Sequence, residues 1–576
     1  MAWNLRVQEH ATKRAHLFTE RSGMHKRLWL SVVAVAIGAA LLVAAGFASP
    51  ANSSISGAKS SFAGAKTGGT LRLNMSSSDV DYIDPALAYY QLSWDILYIA
   101  CRPLLNYPDK PSPAGSRLFP DGAAAFPKVS NGGKLYTFKI RSGMKFSNGV
   151  PITAKSYKAA FDRDANPKME SPAVPFFSDI VGATDAQGNP KTPVSGVKAK
   201  GLTLSVRLTK AGPDILSRMA MLFFCPVPAP GQKGAPSVTS QGVNTFPGSG
   251  PYYVAARTPG GPILIKRNKF YKGPRPHNAS AISVVSVNTN VDTSFTQVQR
   301  GEINYDMGGL PPTAHAGLAK KYGINKQRYF VHPVIATRYL GLNNQRLFRN
   351  TKLRKAVNYA LDRKGMINLR GAYAGHPTDQ LLPSNLRGYK NAGIFPFRPN
   401  FTQAKKLAGS GSRSAVMYTT TSPIGVNQGT LVQADLKQIG IDVSVSKFGT
   451  GTMYKKCGTK SEAFDICNVG WIADYPDPFD FMNVLLSGES IHDSNNNNYS
   501  YFNNAKYNRQ MDAAARLFGP KRFSTYGSLD TTIMKNAAPI AAWDNDNDRE
   551  FISGKTGCYT NQPVYGLADL ALLCLK

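Results

Sequence analysis

Acidic residues are scarce in this sequence. It holds 35 Asp and Glu against 68 Lys and Arg, which gives a formal net charge of +33. An excess of this size suggests nucleic acid as a partner, but the basic residues are spread along the chain and no run of five Lys or Arg occurs. We therefore interpret the charge as a basic exterior that faces an anionic cell envelope, and we expect no nucleic-acid ligand.

The motifs of common enzymes and metal sites are also missing. The sequence has no Cys-x-x-Cys, no His-Glu-x-x-His, no Gly-x-Ser-x-Gly and no glycine-rich phosphate loop after a strand-like segment. We expect no metal, no cofactor and no catalytic nucleophile. Because 576 residues are too many for one compact core, two or three domains are predicted.

Long apolar runs are absent after residue 50, but one occurs before it. Residues 24–48 begin with a short basic region, continue as a small and apolar run, and end in the small-x-small sequence Gly46-Phe47-Ala48. This pattern is typical of an export signal, although the run is also long enough for an uncleaved membrane anchor. We expect an extracytoplasmic protein, in the periplasm or on the outer face of the cell membrane. Residues 1–23 are a basic extension, and Met24 is an alternative start; residues 49–69 read as a flexible linker.

Six cysteines follow the linker, and an even number in an exported chain favours disulfides. Sequence alone does not choose among the possible pairings. Short loops favour Cys457–Cys467 and Cys558–Cys574, which leaves Cys101–Cys225 as a long-range pair.

Apolar spacing indicates α/β structure in two separate regions. A strand is predicted at Leu71–Met75 and a helix at Leu92–Leu105, and alternation around Tyr136–Phe146 predicts a hairpin. Helix, glycine and strand follow one another at 296–307 and again at 428–446. An amphipathic helix is predicted around Leu353–Leu361. Two α/β lobes with a cleft between them are the simplest architecture.

The segment Ala463–Asp480, AFDICNVGWIADYPDPFD, holds the strongest candidate site. Its apolar residues predict a strand, which the prolines that follow must end. Trp471, Asp474 and Tyr475 then lie just past a strand end, where α/β proteins place ligand groups. An aromatic ring beside a fixed negative charge suits a ligand with a cation. Asp477 and Asp480 fit better as solvated or turn-capping residues.

Five segments together resemble the family 5 extracellular solute-binding proteins, the group that binds oligopeptides, dipeptides and nickel for ABC importers. In chain order they are GGTLRL, YTFKIRSGMKFSNGVPITAKSYKAAFDR, GSGPYYVAARTPGGPILIKRNKFYKGPRP, LGLNNQRLFRNTKLRKAVNYALDRKGMI and VGWIADYPDPFDFM. The resemblance implies an α/β, two-lobed periplasmic-binding-protein fold of the large type, with an extra small domain and a ligand cleft between the lobes. The implied parts are 70–105, 200–333 and 540–576 for lobe I, 106–199 for the small domain, and 334–539 for lobe II.

The resemblance also implies site residues. In peptide-binding members the Asp of a W-x-x-D motif pairs with the peptide α-amino group, and the Trp lines the pocket; these positions are Trp471 and Asp474 here. The loop Ser76–Asp81, with Ser77 and Ser78, and the pair Tyr89 and Tyr90 match regions that line the cleft from the other lobe. Neighbouring residues on a strand point to opposite sides, so we expect one of these two tyrosines in the core.

Two departures from the family pattern leave the ligand open. Members that bind longer peptides can carry a basic residue where this chain has Asn468, which we count among the candidate ligand-binding residues. Some members link by a disulfide the positions of Ala336 and Ile472. A short peptide is the favoured ligand, delivered by a monomeric carrier to membrane permease subunits. An oligosaccharide or other neutral solute is the alternative. A secreted glycoside hydrolase, which needs two carboxyl groups roughly 5–10 Å apart, is a remote third interpretation.

Overall fold

The computed structural model describes residues 66–75, 80–285 and 290–576. The basic extension, the signal-like run, most of the linker, and Ser77 and Ser78 lie outside the described residues. In the part that is described, no helix combines the length and apolar character needed to cross a bilayer.

A five-stranded sheet forms the core of the first lobe. Leu71 and Leu73 of the predicted first strand are fully buried and pair in parallel with Ile282 and Val284. The first helix–glycine–strand unit is confirmed, because the helix Val291–Arg300 ends at Gly301, with φ of 72°, before a short parallel edge strand. The strands lie in the order Tyr305–Asp306, Thr70–Asn74, Ala281–Val284, Ile263–Arg267 and Tyr252–Arg257.

A six-stranded sheet forms the core of the second lobe. The second helix–glycine–strand unit is confirmed here: the helix Pro423–Lys437 is followed by Gly440, with φ of 74°, and by a strand that begins at Ile441. Val432 and Leu436 of that helix pack with Ile441 in one buried cluster. The strands lie in the order Gly375–His376, Ile540–Phe551, Tyr329–Leu342, Ile466–Ile472, Arg413–Thr420 and Ile441–Phe448.

Two long strands connect the two sheets. Tyr329–Leu342 pairs antiparallel with Ile540–Phe551, with irregularities after Pro333 and after Arg338. Directly beyond this pair, Ile552 bridges to Tyr305 at the edge of the first sheet. We therefore propose that the hinge between the two lobes lies in these strands. The lobe boundaries expected near residues 334 and 540 fall within them.

The small domain corrects one sequence prediction. Its four-stranded antiparallel sheet has the order Lys128–Ser130, Leu135–Lys139, Thr203–Arg207 and Val197–Lys200. Leu135–Lys139 does not form a hairpin with residues 144–146, because its two edges are taken by Lys128–Ser130, which directly precedes it, and by the distant strand Thr203–Arg207. Lys145 makes an isolated bridge with Pro151. Since the sheet continues to Arg207, we propose that the small domain extends past residue 199.

The remaining elements complete the two lobes and the small domain. The predicted helix at Leu92–Leu105 is shorter than expected, because Cys101 is extended and Pro103 disfavours helical backbone at the residue before it. It spans Gln91–Ala100. The other helices are Ala154–Asp164, Val174–Phe177, Ile215–Arg218, Ala314–Tyr322, Thr351–Ala360, Arg363–Asn368, Phe401–Ala408, Thr450–Cys457, Pro478–Leu486, Ala505–Ala515 and Gly519–Asn536. The short strand pairs are Leu105–Asn106 with Phe119–Pro120, Thr556–Gly557 with Cys574–Leu575, and Asn561–Gln562 with Leu567–Ala568.

Three disulfides join the pairs that were expected from the sequence, Cys101–Cys225, Cys457–Cys467 and Cys558–Cys574. The second of these ties the end of the helix Thr450–Cys457 to the strand that carries Trp471. A disulfide of this kind restricts the unfolded chain and fixes the strand relative to the helix beside it.

Candidate functional site

The central strand Ile466–Ile472 positions the predicted site. It pairs antiparallel with Tyr329–Leu342, and Ala336 lies directly opposite Ile472, the two positions that the resemblance had matched. The pairing ends where the Ala473 amide donates to the Ile335 carbonyl, at 2.8 Å. The strand ends before the prolines at 476 and 478, as predicted, and a helix that the sequence did not predict begins at Pro478. Asp474 therefore lies at the end of a rigid strand.

A cavity of about 430 Å³ lies at this strand end. Trp471 and Asp474 line it from the second lobe, and Tyr89 and Tyr90 line it from the first. Its aromatic residues are Tyr89, Tyr90, Trp94, Tyr454, Trp471, Tyr499 and Tyr565. The site is thus a space between the lobes with aromatic walls, which suits a small organic ligand.

Asp474 is the only acidic residue among the described residues that line the cavity. Only 9% of the residue is exposed, and one carboxylate oxygen accepts a hydrogen bond of 2.8 Å from the Tyr89 hydroxyl. Burial raises the pKa of Asp474 to about 7, although hydrogen bonds from Tyr89 and Asp480 oppose that rise. No ion pair joins Asp474 to a cation within residues 66–75, 80–285 and 290–576. No cation of the described residues neutralises Asp474, so its ionised form is energetically unfavourable in the empty cavity.

Asp480 fixes the positions of Trp471 and Asp474 by hydrogen bonds. Its Oδ2 accepts from the Trp471 indole N–H at 3.1 Å and from the Asp474 backbone N–H at 3.0 Å. Burial and the nearby Asp474 charge raise the pKa of Asp480 well above its usual range. The prediction of a solvated or merely turn-capping Asp480 is wrong, because two buried donors need its oxygen and leave it no exposed surface.

Asp477 has a structural role in the same loop. It caps the helix Pro478–Leu486 by accepting from the Phe479 amide, as expected for a turn-capping residue. It is nevertheless buried and forms a forked ion pair with Arg522, at 2.7 Å for the closest contact. Asp477 and Asp474 thus differ sharply: the first has an internal cation and the second has none.

Two predicted site residues do not line the cavity. Tyr475 is fully buried, and its hydroxyl donates to Asp214 at 2.9 Å. Asn468 lies further back on the strand, where its amide donates to the Gln428 side chain at 2.9 Å. Both residues support the neighbouring packing. Neither is in a position to contact a ligand in this cavity.

Both Tyr89 and Tyr90 line the cavity, and Tyr89 also packs against the hydrophobic core, so the expected division of the two side chains between core and cleft holds only in part. They lie in a turn and at the start of the helix Gln91–Ala100, where the alternation of a strand does not apply. The Tyr90 hydroxyl lies close to Gly451 of the second lobe, where a Cβ atom would come within 2.8 Å of it.

Sequence reasoning missed one charged residue of the wall, Arg338. It lies opposite Gly470 on the strand Tyr329–Leu342. The signal in the sequence is the one arginine of that mainly apolar and aromatic strand, but its position in the fold depends on pairing with a distant segment. Tyr454, Tyr499 and Tyr565 were missed for the same reason.

Other chemistries find little support in the described residues. No group of three His, Cys, Asp or Glu side chains there could hold a metal ion. The side chains of Asp474 and Asp480 are hydrogen-bonded to each other and Asp477 pairs with Arg522, so these carboxyl groups do not stand on opposite sides of a space for a sugar ring.

A comparison with known families agrees with this geometry. Residues 117–493 match the family described as bacterial extracellular solute-binding proteins, family 5, middle region. This match covers more than half of the chain, so the chain belongs to that family. The resemblance inferred from the sequence is confirmed.

Individual relatives are distant but cover most of the chain. The probable D,D-dipeptide-binding periplasmic protein DdpA of Escherichia coli K12 is 24% identical over 472 residues, which cover 81% of this chain and 86% of the relative. The structure of clavulanic acid biosynthesis oligopeptide binding protein 2 has a TM-score of 0.78 at 23% identity and covers 88% of this chain and 96% of its own. The Haemophilus influenzae OppA complex with the peptide RPPGFSPFR has a TM-score of 0.73 at 21% identity, with coverage of 88% and 100%. The two-lobed fold is therefore confirmed.

Proposed function

We propose that this protein is the extracytoplasmic solute-binding component of an ABC importer and that it captures a short peptide between its lobes. Asp474 pairs with the peptide α-ammonium group, and Trp471 and the other rings pack against the peptide. The protein is a non-catalytic carrier. The loaded form is recognised by membrane permease subunits, and an N-terminal signal directs its export.

The observation that carries this proposal is the unpaired, buried carboxylate of Asp474. Burial of a charge without a partner is strongly unfavourable, and a ligand ammonium would remove that penalty. The family membership and the peptide-binding names of the relatives support the same reading. A neutral oligosaccharide would use the aromatic walls but would leave Asp474 unpaired, so we rank it second.

The contact between Tyr89 and Asp474 supports closure of the lobes around a ligand. Tyr89 precedes the first helix, whereas Asp474 follows the central strand of the second sheet, so their hydrogen bond joins the two lobes. Opening at the strands that connect the sheets would separate these groups and admit a ligand. Binding and closure are therefore coupled in this proposal.

The test is native mass spectrometry of the exported protein, followed by mild denaturation to release any ligand that has co-purified. A released mixture of short peptides would support the proposal, because ligand bound to the folded state is retained by mass action. A sugar or a single metabolite without an amino group would overturn it. If the cavity is empty, the same protein is titrated with peptide pools, and failure of every pool to bind would also overturn it.

Peptide binding is expected to strengthen as the pH rises towards 7. Burial raises the pKa of Asp474 to about 7 in the empty site, whereas an ammonium group beside it would lower that pKa. Below pH 7 the empty site holds a proton that the complex must release, so Kd should fall by up to about tenfold per pH unit. The gain should end near pH 8, where a peptide α-amino group, with a pKa of about 7.7–8.0, loses its own proton.

Calorimetry in two buffers of different ionisation enthalpy measures this proton release directly. The N-acetylated form of the same peptide is the control and should bind poorly at every pH. An affinity that does not change between about pH 5.5 and 7 would contradict the assigned role of Asp474.

A further inference from the structure

Arg338 is the only cationic side chain among the described residues that line the cavity. It stands opposite Gly470 in the paired central strands, and its side chain lies against that glycine, within 3.5 Å of where a Cβ atom would be. The side chain remains 36% exposed, although its partner Asp546 is almost fully buried. Part of the guanidinium is therefore free to meet a ligand.

The carboxylate partner of Arg338 is shared with a second arginine. Asp546 is shared between two arginines, with contacts of 2.6 Å to Arg338 and 2.6 Å to Arg370. Arg549 adds a third positive charge, and its Nη1 donates to the Arg370 carbonyl at 2.8 Å. Burial raises the pKa of Asp544 to about 7 despite its ion pair with Arg370. Arg338 therefore has no carboxylate partner of its own.

The neighbouring Arg549 is also affected by these arginines. Burial and the proximity of Arg370 lower the pKa of Arg549 to about 10. An anion placed in the cavity would give Arg338 an acidic partner in addition to the shared Asp546. The cavity wall thus offers a negative group at Asp474 and a positive group at Arg338, in the pattern that complements a zwitterion.

The spacing of the two groups limits the length of such a ligand. Asp474 is four residues beyond Gly470, the cross-strand partner of Arg338, and this corresponds to roughly 13 Å of extended chain. The two side chains reach into the cavity and shorten that gap, and an extended tripeptide is roughly 10 Å long. A cavity of about 430 Å³ is also near the lower end of the usual range for ligand sites.

We propose that Arg338 binds the terminal carboxylate of the ligand, so that the protein selects peptides of about two or three residues with both ends free. This inference rests on the proposed function and adds the carboxylate site and the length limit. It also explains how a chain with Asn468, where longer-peptide binders carry a basic residue, can hold a peptide carboxylate.

The test uses pools of tripeptides with randomised side chains, in free-acid and C-terminally amidated forms, with binding measured by native mass spectrometry and competition calorimetry. The free-acid pool should bind on the order of 30-fold more tightly than the amidated pool. In Arg338→Gln this difference should disappear, because the free-acid affinity falls while the amide affinity stays nearly constant. Free-acid peptides of six or more residues should bind weakly to both proteins.

Arg346→Gln is the matched control, because Arg346 also pairs with a buried aspartate, Asp465, but does not line the cavity. It should retain the preference for free acids. Equal binding of acid and amide to the unsubstituted protein would overturn the inference and leave the proposed function standing. If Arg338→Gln lowers the affinities for free-acid and amidated peptides equally, the inference is also overturned, because Arg338 would then only support the shape of the cavity. Failure of both pools to bind the unsubstituted protein would instead overturn the proposed function itself.

Discussion

Asp474→Asn is expected to weaken peptide binding by about 2–5 kcal/mol, a loss on the order of 30-fold to more than 1,000-fold. Asparagine keeps the volume of the side chain and can still accept the Tyr89 hydroxyl, so the shape of the cavity should survive. The negative charge that a ligand ammonium needs is removed. Calorimetry with any peptide that the unsubstituted protein retains measures the loss.

The control for this change is Asp442→Asn, an exposed aspartate on the strand Ile441–Phe448, which should leave affinity unchanged. Thermal unfolding of the empty variant should show that Asp474→Asn is at least as stable as the original protein, because an unpaired buried charge has been removed. Unchanged peptide affinity in Asp474→Asn would show that Asp474 is not the ammonium partner.

Local sequence signals were sufficient for the core of this site. The apolar strand, its termination by proline, and the Trp471 and Asp474 side chains all lie within one short segment, so their relation does not depend on distant pairing. Both helix–glycine–strand units could be predicted for the same reason, because Gly301 and Gly440 take the left-handed backbone that ends a helix.

Features that depend on pairing between distant segments could not be predicted. Arg338 enters the cavity only because its strand pairs with Gly470, and no local pattern encodes that register. The expected hairpin after Leu135–Lys139 is wrong for a related reason, since the strand pairs with Lys128–Ser130 on one edge and with the distant Thr203–Arg207 on the other. Apolar alternation predicts a strand but does not identify its neighbour.

The misreading of Asp480 has a different cause. A cluster of Asp and Pro residues usually indicates an exposed turn, and Asp477 does cap a helix here. What the sequence does not reveal is that the Trp471 indole and the Asp474 amide, both buried, each need an acceptor. Burial of a polar group is decided by the donors around it, and these come together only in the folded chain.

Arg522→Met is expected to lower the free energy of unfolding by about 3–5 kcal/mol, because it leaves Asp477 buried and charged without its partner. Only 2% of the Arg522 side chain and 11% of the Asp477 side chain are exposed. Methionine retains most of the apolar volume, so the loss should come from the charge. Urea unfolding followed by tryptophan fluorescence measures the change. Peptide affinity should fall as well, since Asp477 anchors the loop that presents Asp474.

The double variant Asp477→Asn with Arg522→Met separates charge from packing. Asparagine caps helices about as well as aspartate and can still accept the Phe479 amide, so it removes the buried charge and keeps the cap. Much of the lost stability should therefore return. The exposed pair Arg516–Asp512 supplies the contrast, and Arg516→Met should change stability by less than about 1 kcal/mol. A double variant no more stable than Arg522→Met would show that packing and the carbonyls that Arg522 contacts, rather than the unpaired charge, account for the loss.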